Sequence, residues 1–514
     1  MQRELSIKDW IGFVAMIVGM FMAILDIQIV ASSLKEIQAG LSASQDEITW
    51  VQTSYLIAEV IMIPLSGWLA KALSTRLFYT ISAAIFTVMS VLCAFSWDLE
   101  SMIVFRAIQG FFSGGMIPTV FSTIFTMFPK KMHSKITVLV GLVVTIAPTV
   151  GPILGGYLTE QYSWHYMFLI NVIPGIAVST LTYLLIDVDK PEFQLFKSID
   201  FIGIFYIITC LGPLQYILEE GVKEDWFDSL KITVLSIISL ISFILLIDRE
   251  LKYQNPIIDF SSFKNKNFTA GCIFSFIIGS GMYSAVYLLP LYLGAVKGLN
   301  SFQIGMYVAV TGVFQFLSAP IAGILSSKVD LRIMLFVGFS LFGLGCYLDS
   351  FLTHDEGFMH LFLPQAVRGM SLMFCFLPIN TITFGTLPPE QIKFASGLYN
   401  LTRNLGGAIM LAKINGYIVN HNKIYYAEMK QHISTGSLQF MQVFTMLKER
   451  LLSIGNNFSD VAAIRLYNNI LLREALVISI NDCFVILAIF FWASIIIMPF
   501  LEKPKEIDDS AVGH

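Results

Sequence analysis

Three charged residues stand inside apolar stretches where a charge is expensive, and they set the chemistry to look for. Asp26 lies well inside the run Trp10–Ser33, Glu59 inside Ile48–Ala70, and Arg106 inside Met102–Phe125. A lone carboxylate in hydrocarbon must be protonated, paired or turned toward water. A desolvated carboxyl facing a cation can exchange a proton as its access to the two sides alternates. Proton coupling is therefore expected at Asp26, with Glu59 second and Arg106 tuning both. The other reading of Asp26 is a hydrogen bond between packed helices, with no turnover. Arg106 either pairs with a carboxylate or snorkels to the surface; the polar stripe running inward through Gln109 and Ser113 favours pairing.

Polar residues at helical spacing extend this set. Gln52, Tyr55, Glu59, Met62 and Ser66 recur at intervals of three and four, which predicts a stripe lining a cavity. Asn400, Arg403 and Lys413 share one broad face near Gly406 and Gly407. Arg403 is expected near the cytoplasmic end as a structural anchor. Lys413, deeper, would bind an anion, neutralise a carboxylate such as Glu59, or stay neutral. Tyr283 and Tyr287 suit an adaptable apolar pocket, although aromatic stripes are more often ordinary packing. Pro148, Gly151, Pro152, Gly155 and Gly156 remove side-chain bulk where two bundles would slide. No metal-ligand cluster, phosphate loop or catalytic nucleophile set is visible, so neither ATP nor any other cofactor is expected to drive the protein.

The elements that must position these residues follow from composition. The chain has 514 residues, 56% hydrophobic and only 13% charged, with mean hydropathy +0.73 and a net charge of −4. A soluble domain carries about a quarter charged residues, so a soluble multidomain enzyme is excluded. Scattered Lys and Arg exclude a nucleic-acid surface. The six cysteines all fall in apolar runs without paired spacing, as buried hydrophobes do. Besides the three runs above, spans are predicted at Leu77–Trp97, Ile136–Thr159, Tyr166–Ile186, Ile199–Leu218, Leu230–Ile247, Phe268–Gly294, Phe302–Ser326, Ile333–Thr353, Phe358–Leu387, Phe394–Asn420 and Val477–Phe500. That makes an all-α polytopic membrane protein of fourteen spans.

An even count puts both termini on one side. The loops on that side hold most of the Lys and Arg, including Lys71, Arg76, Lys130, Lys131, Lys190, Arg249, Lys328 and Lys393, which makes it the cytoplasm. The long segment after Asn420 then lies outside. Its apolar residues Phe440, Val443, Phe444, Leu447 and Leu451 predict an amphipathic helix pair at the membrane surface, read either as a solvated cap or as a docking surface. Expected divisions are 1–190 for an N-terminal six-helix bundle, 191–255 for two inserted linker helices, 256–420 for C-terminal helices, 421–476 for the exterior loop, and 477–514 for the last span and tail.

The halves echo each other at offsets of about 260 residues. Gly67, Lys71 and Arg76 match Gly323, Lys328 and Arg332; Arg106 and Gly110 match Arg368 and Gly369; Phe128-Pro129 matches Pro388-Pro389. With Gly67-Trp-Leu-Ala-Lys71, Arg106-Ala-Ile-Gln-Gly110, Pro148-x-x-Gly-Pro-Ile-Leu-Gly-Gly156, Phe168-Leu-Ile-Asn-Val-x-Pro-Gly175 and Ser396-Gly-Leu-x-Asn-x-x-Arg-x-x-Gly-Gly407, nearly the whole chain resembles the fourteen-helix drug:proton antiporters of the major facilitator superfamily, of EmrB/QacA type.

The resemblance implies the major facilitator fold, with two six-helix bundles plus two extra central helices, and proton-driven efflux of small amphiphilic compounds across a bacterial inner membrane. It also implies a periplasmic adaptor and an outer-membrane channel as partners. Asp26 falls on the family's first-helix carboxylate, Arg106 on its fourth-helix arginine, and Gly151–Gly156 on its antiporter motif. Lys71 stands where most of the family has an acid, and Ile27-Gln28 replaces the usual x-Thr after Asp26. Glu59 and Lys413 add charges not expected there, by ion pair or altered substrate preference. Two further readings stay open: export of a single physiological metabolite such as a siderophore or fatty acid, and a non-transporting scaffold or sensor.

Overall fold

The computed structural model describes residues 6–502 except 32, 45–46, 327, 432–437 and 454–458. Residues 1–5 and the tail after Glu502 lie outside the described residues. The fold is helical. The N-terminal half holds α1 (Ile7–Ala31), the short α2 (Leu34–Leu41), α3 (Trp50–Leu73), α4 (Thr75–Ala94), α5 (Leu99–Gly114), α6 (Met116–Met127), α7 (Lys130–Gln161), α8 (His165–Leu169) and α9 (Val172–Leu185). Then come α10 (Phe201–Glu220) and α11 (Leu230–Lys252), followed by α12 (Lys266–Leu291), α13 (Ser301–Leu325), α14 (Leu331–Asp349), α15 (Phe358–Gly385), α16 (Ile392–Gln431), α17 (Leu438–Ser453) and α18 (Ser459–Ser494).

Two expected single helices are broken for local reasons. The fourth span divides at Gly115 into α5 and α6. The sixth divides before Asn171, where Pro174 takes an early position in α9 that needs no amide donor. Elsewhere short polar residues start helices: Asp98 and Asn300 make capping boxes for α5 and α13, and Asp200 accepts from the Gly203 amide at 3.0 Å ahead of α10.

Among the described residues, thirteen stretches are long and apolar enough to cross a membrane. The fourteenth expected span exists within α16 but is too polar to qualify, carrying Asn400, Arg403, Asn404, Lys413 and Asn415. Its packing accounts for this, because α3, α6, α12 and α18 surround it and hydrocarbon is not its main neighbour. The expected surface helix pair is corrected too. The segment after Asn420 prolongs α16 to Gln431 and begins α18 at Ser459, and α17 packs on α18, with the Phe440 and Tyr467 rings 5.2 Å apart. The apolar face of α17 meets this helical projection, which stands off the end of the spans.

α1 packs on α7 and α9, and α3 and α4 on α5; α12 packs on α16, α14 on α15 and α18, and α13 on α15. The halves meet through α7 with α13 and α15, and through α16 with α3 and α6. α10 leans on α3 and α16, while α11 packs on α10 and turns Ile237, Leu240, Ile241 and Ile244 outward, as a lipid-facing helix does. The Trp10 ring near the start of α1 lies 5.1 Å from that of Phe128, the Phe125 ring lies 5.0 Å from that of Phe384, Asn265 Nδ2 donates to the Thr386 carbonyl at 3.2 Å and Lys266 Nζ lies 2.9 Å from Glu502, so both ends of the described chain share one side, the terminus side.

Candidate functional site

Asp26 and Arg106 form a fully buried ion pair between α1 and α5. Arg106 Nη1 also donates to Gln109 Oε1 at 2.8 Å, and Arg106 Nε to the Val51 carbonyl at 3.1 Å on α3. Gln109 Nε2 donates to Asp26 Oδ1 at 3.2 Å and Asn171 Nδ2 to the same oxygen at 2.9 Å; Asn171 also donates to Ser90 Oγ at 3.0 Å. The guanidinium lies 4.1 Å from the Tyr55 ring centroid. Gly110 permits this closeness, since a Cβ there would collide with the Tyr55 carbonyl. One guanidinium nitrogen, Arg106 Nη2, is buried without a partner.

A cavity of about 600 Å³ opens on the side opposite the termini, between the two halves. Gln28 on α1, Gln52 and Glu59 on α3, Tyr283 and Tyr287 on α12 and Asn404 on α16 line it, with Pro152 of α7 and exposed Lys35 at the mouth. Tyr283 donates to Asn404 Oδ1 at 3.2 Å and Tyr287 to Asn415 Oδ1 at 3.4 Å, tying α12 to α16. A narrow inner extension passes Glu59 and Pro148 to Arg403. Arg403 Nη2 donates to Asn400 Oδ1 at 2.5 Å, but Nε and Nη1 have no partner although the side chain is buried.

Several expectations are corrected by these positions. Tyr55, Gln109 and Ser113 do not line the cavity: they sit between helices around the Asp26–Arg106 pair, Ser113 bonding the Gly110 carbonyl at 2.9 Å. Helical periodicity assigned Tyr55 to Glu59's face, yet the ring turns under Arg106 while Glu59 turns to the cavity. Arg403 is no end anchor, lying eleven residues inside α16, roughly 16 Å from its start. Lys413 is exposed on α16 and absent from the cavity wall, so Glu59, which is buried, gains no cation from it there. Arg106 meets Asp26 rather than the surface.

Of the motif glycines, Gly151 presses on Gln28 of α1, and Gly155 and Gly156 are buried. Gly67 leaves no room for a Cβ against the Lys393 carbonyl, which closes the terminus side. That closure is reinforced by Lys393 Nζ, 2.5 Å from Asp189 and 3.1 Å from the Ala70 carbonyl, by Ser396 Oγ donating to the Pro118 carbonyl at 2.6 Å, and by Phe125 against Phe384 at 5.0 Å. Lys71 lies 4.0 Å from Glu192 and Arg76 packs over the Tyr183 ring at 5.8 Å, both at the rim of this closed end.

Sequence reading missed Asn171, Gln28, Gln215 and Glu219, the last two reaching the cavity from α10. Asn171 had a signal, being a lone amide in an apolar run just before Pro174. The acid pair Glu219-Glu220 ending a predicted span was another.

Two helix bundles around a cavity open on one side, with a buried acid–base pair behind its wall, define a secondary membrane transporter. The chain belongs to the major facilitator superfamily, which its residues 16–411 match. It is 41% identical over 497 residues, covering 97% of both chains, to the colistin resistance protein EmrB of Acinetobacter baumannii. It is 31% identical to the multidrug export protein EmrB of Escherichia coli, over 92% of this chain and 91% of that one. The solved proton:xylose symporter XylE shares the fold at TM-score 0.57 and 12% identity, over 94% of this chain and 95% of that one.

Proposed function

We propose that this protein is a proton-coupled exporter of amphiphilic toxic compounds, driven by the proton gradient rather than by ATP. One observation carries the reading: α1 holds Asp26 in the buried pair on one face and Gln28 on the cavity wall, about 200° around the same helix. A proton on Asp26 removes the charge that holds Arg106, Gln109 and Asn171 in place. Arg106, already short of one hydrogen-bond partner, must then find new acceptors. α1 is the element both events move, so protonation and cavity shape are linked, and each favours a different state. Glu59, on the cavity wall, is the second proton site, where substrate and proton compete directly.

Orientation supports export. Lys71, Arg76, Lys130, Lys393 and the other basic loop residues cluster on the terminus side, which under the positive-inside rule is cytoplasmic, so the cavity faces outward in this state. In a Gram-negative cell the membrane is the inner one, and the projection made by the α16 tip, α17 and the start of α18 stands in the periplasm, placed to meet an adaptor leading to an outer-membrane channel.

The test is pH-gradient-driven efflux of amphiphilic dyes in proteoliposomes. Wild type should pump and Asp26→Asn should not, while folding and binding the dye. Full pH-driven efflux by Asp26→Asn would reject the proposed coupling.

A further inference from the structure

The inserted helices connect the two halves, and that task alone needs no polar group facing the transport path. Yet α10 packs on α3 and α16 and puts Gln215 and Glu219 on the cavity wall. Its far end is level with the first turns of α3: Thr53 Oγ1 donates to Glu220 at 3.1 Å, and the Trp50 and Tyr216 rings lie 5.5 Å apart. Glu59 lies six residues further along α3 than Thr53, roughly 9 Å deeper. The cavity thus holds two carboxylates at two depths, Glu219 toward the mouth and Glu59 toward the floor.

Both are short of partners. Gln215 Nε2 donates to one Glu219 oxygen at 2.9 Å, and no other described residue donates to that side chain. Glu59, only 4% exposed, accepts no hydrogen bond from the described residues although it borders both the main cavity and its inner extension. An acid held this way in a mostly apolar wall is completed by a proton or by a cation from the ligand. Tyr283 and Tyr287 on the same wall supply aromatic surface of the kind organic cations favour. Two positive side chains share the cavity: Lys35 is exposed at its rim, and Arg403 lies behind Glu59, so neither occupies the space separating the two acids.

We propose that Glu219 makes α10 an outer cation subsite and that, together with Glu59 at the inner level, it selects amphiphiles bearing two separated positive groups over those bearing one. The inserted helix is then a specificity element as well as a connector. This rests on the export reading above, so its test needs a readout that survives failure of that reading.

The full chain is reconstituted with an imposed pH gradient and given three probes of similar size: an aromatic bis-amidine, its mono-amidine analogue and an uncharged dye. Glu219→Gln should lower bis-amidine transport about tenfold while the other two probes change less than about twofold, and Glu219→Asp should recover part of the loss. Equal loss of all three probes would show that Glu219 merely holds α10 in place, and no loss would show that it is idle; either result overturns the proposal. Equilibrium binding of the same probes to detergent-purified protein must show the same selective loss. That measurement decides the subsite even if the wild type transports none of them, in which case the export reading fails separately.

Discussion

Two buried aspartate–arginine clusters occupy matching stations in the two halves, and they are connected differently to the cavity. In the N-terminal half Arg106 reaches across from α5 to Asp26 on α1. In the C-terminal half Arg368 Nη1 meets Asp349 at 2.9 Å, and Gln365 bridges them, donating to Asp349 at 3.2 Å, accepting from Arg368 and taking the Thr311 hydroxyl at 2.8 Å. Gly369 presses on the Thr311 carbonyl as Gly110 presses on Tyr55, so the repeat read from the sequence extends to backbone contact. The carboxylate, however, comes from α14 rather than from the first helix of its bundle, and among the described residues neither α14 nor α15 contributes to the cavity wall, whereas α1 does through Gln28. Arg106 keeps an unpartnered nitrogen, whereas Arg368 is not among the buried groups lacking partners. On the proposed coupling, the Asp26–Arg106 pair is a moving part because it shares α1 with the cavity, and the Asp349–Arg368 pair is a fixed cross-link because neither of its helices reaches the cavity.

The largest test of that contrast is a charge deletion on each side. Asp26→Asn should bring pH-driven efflux to the level of empty liposomes, while Asp349→Asn should leave most of it. Equal loss from both variants would make the second cluster a coupling site as well. Stability should split the other way. Arg368→Met, which leaves Asp349 buried without its cation, should cost about 3–5 kcal/mol, read as a large drop in the unfolding midpoint in detergent. Adding Asp349→Leu should restore most of the midpoint and keep transport.

A smaller effect is expected at the interdomain clamp. Lys393→Ala removes a partly buried pair with Asp189 of about 1 kcal/mol, enough to shift the two cavity states by about fivefold toward the terminus-open one. Thiol labelling of Ser396→Cys, at the closed interface, should speed up accordingly. The smallest concerns pH. Burial alone would raise the Asp200 carboxyl, but Arg249, at 2.8 and 3.1 Å, and the Gly203 amide outweigh it and hold the group below its ordinary range. A carboxyl lowered in the folded state stabilises above its unfolded value of about 3.9 and loses that contribution only as pH falls through the lowered one. The loss of stability caused by Asp200→Asn, read as the unfolding midpoint in detergent, should therefore be the same at pH 5 as at pH 8. A loss that differs between those two pH values would contradict this.

Much of the site was legible because a charge in an apolar run is conspicuous: Asp26, Glu59 and Arg106 needed only hydropathy. Which neighbour each would face was not. Tyr55 and Glu59 are four residues apart and share a stripe, but whether a stripe meets a cavity or another helix depends on tertiary packing. Asp349 escaped attention because it ends its helix, where an acid looks like a loop residue, and its partner Gln365 lies one turn before Arg368 whereas Gln109 lies one turn after Arg106. Glu219 was hidden in the same way. Lys413 misled because depth along a helix says nothing about which side of it is enclosed. The fold was easier to read, since about twenty apolar residues in a row leave few alternatives.

α16 is one unbroken helix of 40 residues, roughly 60 Å long. Its foot is gripped by Gly67 and Asp189, its middle carries Arg403 and Asn404 at the cavity, and its tip reaches the projection, where Tyr425 bonds Asp482 of α18 at 2.6 Å. A rod of that length works as a lever. Turning it by ~10° about its foot would sweep the tip about 10 Å, far more than the same turn would move Arg403, eleven residues from the foot. Whatever grips the projection from outside would receive the state of the cavity as a mechanical stroke.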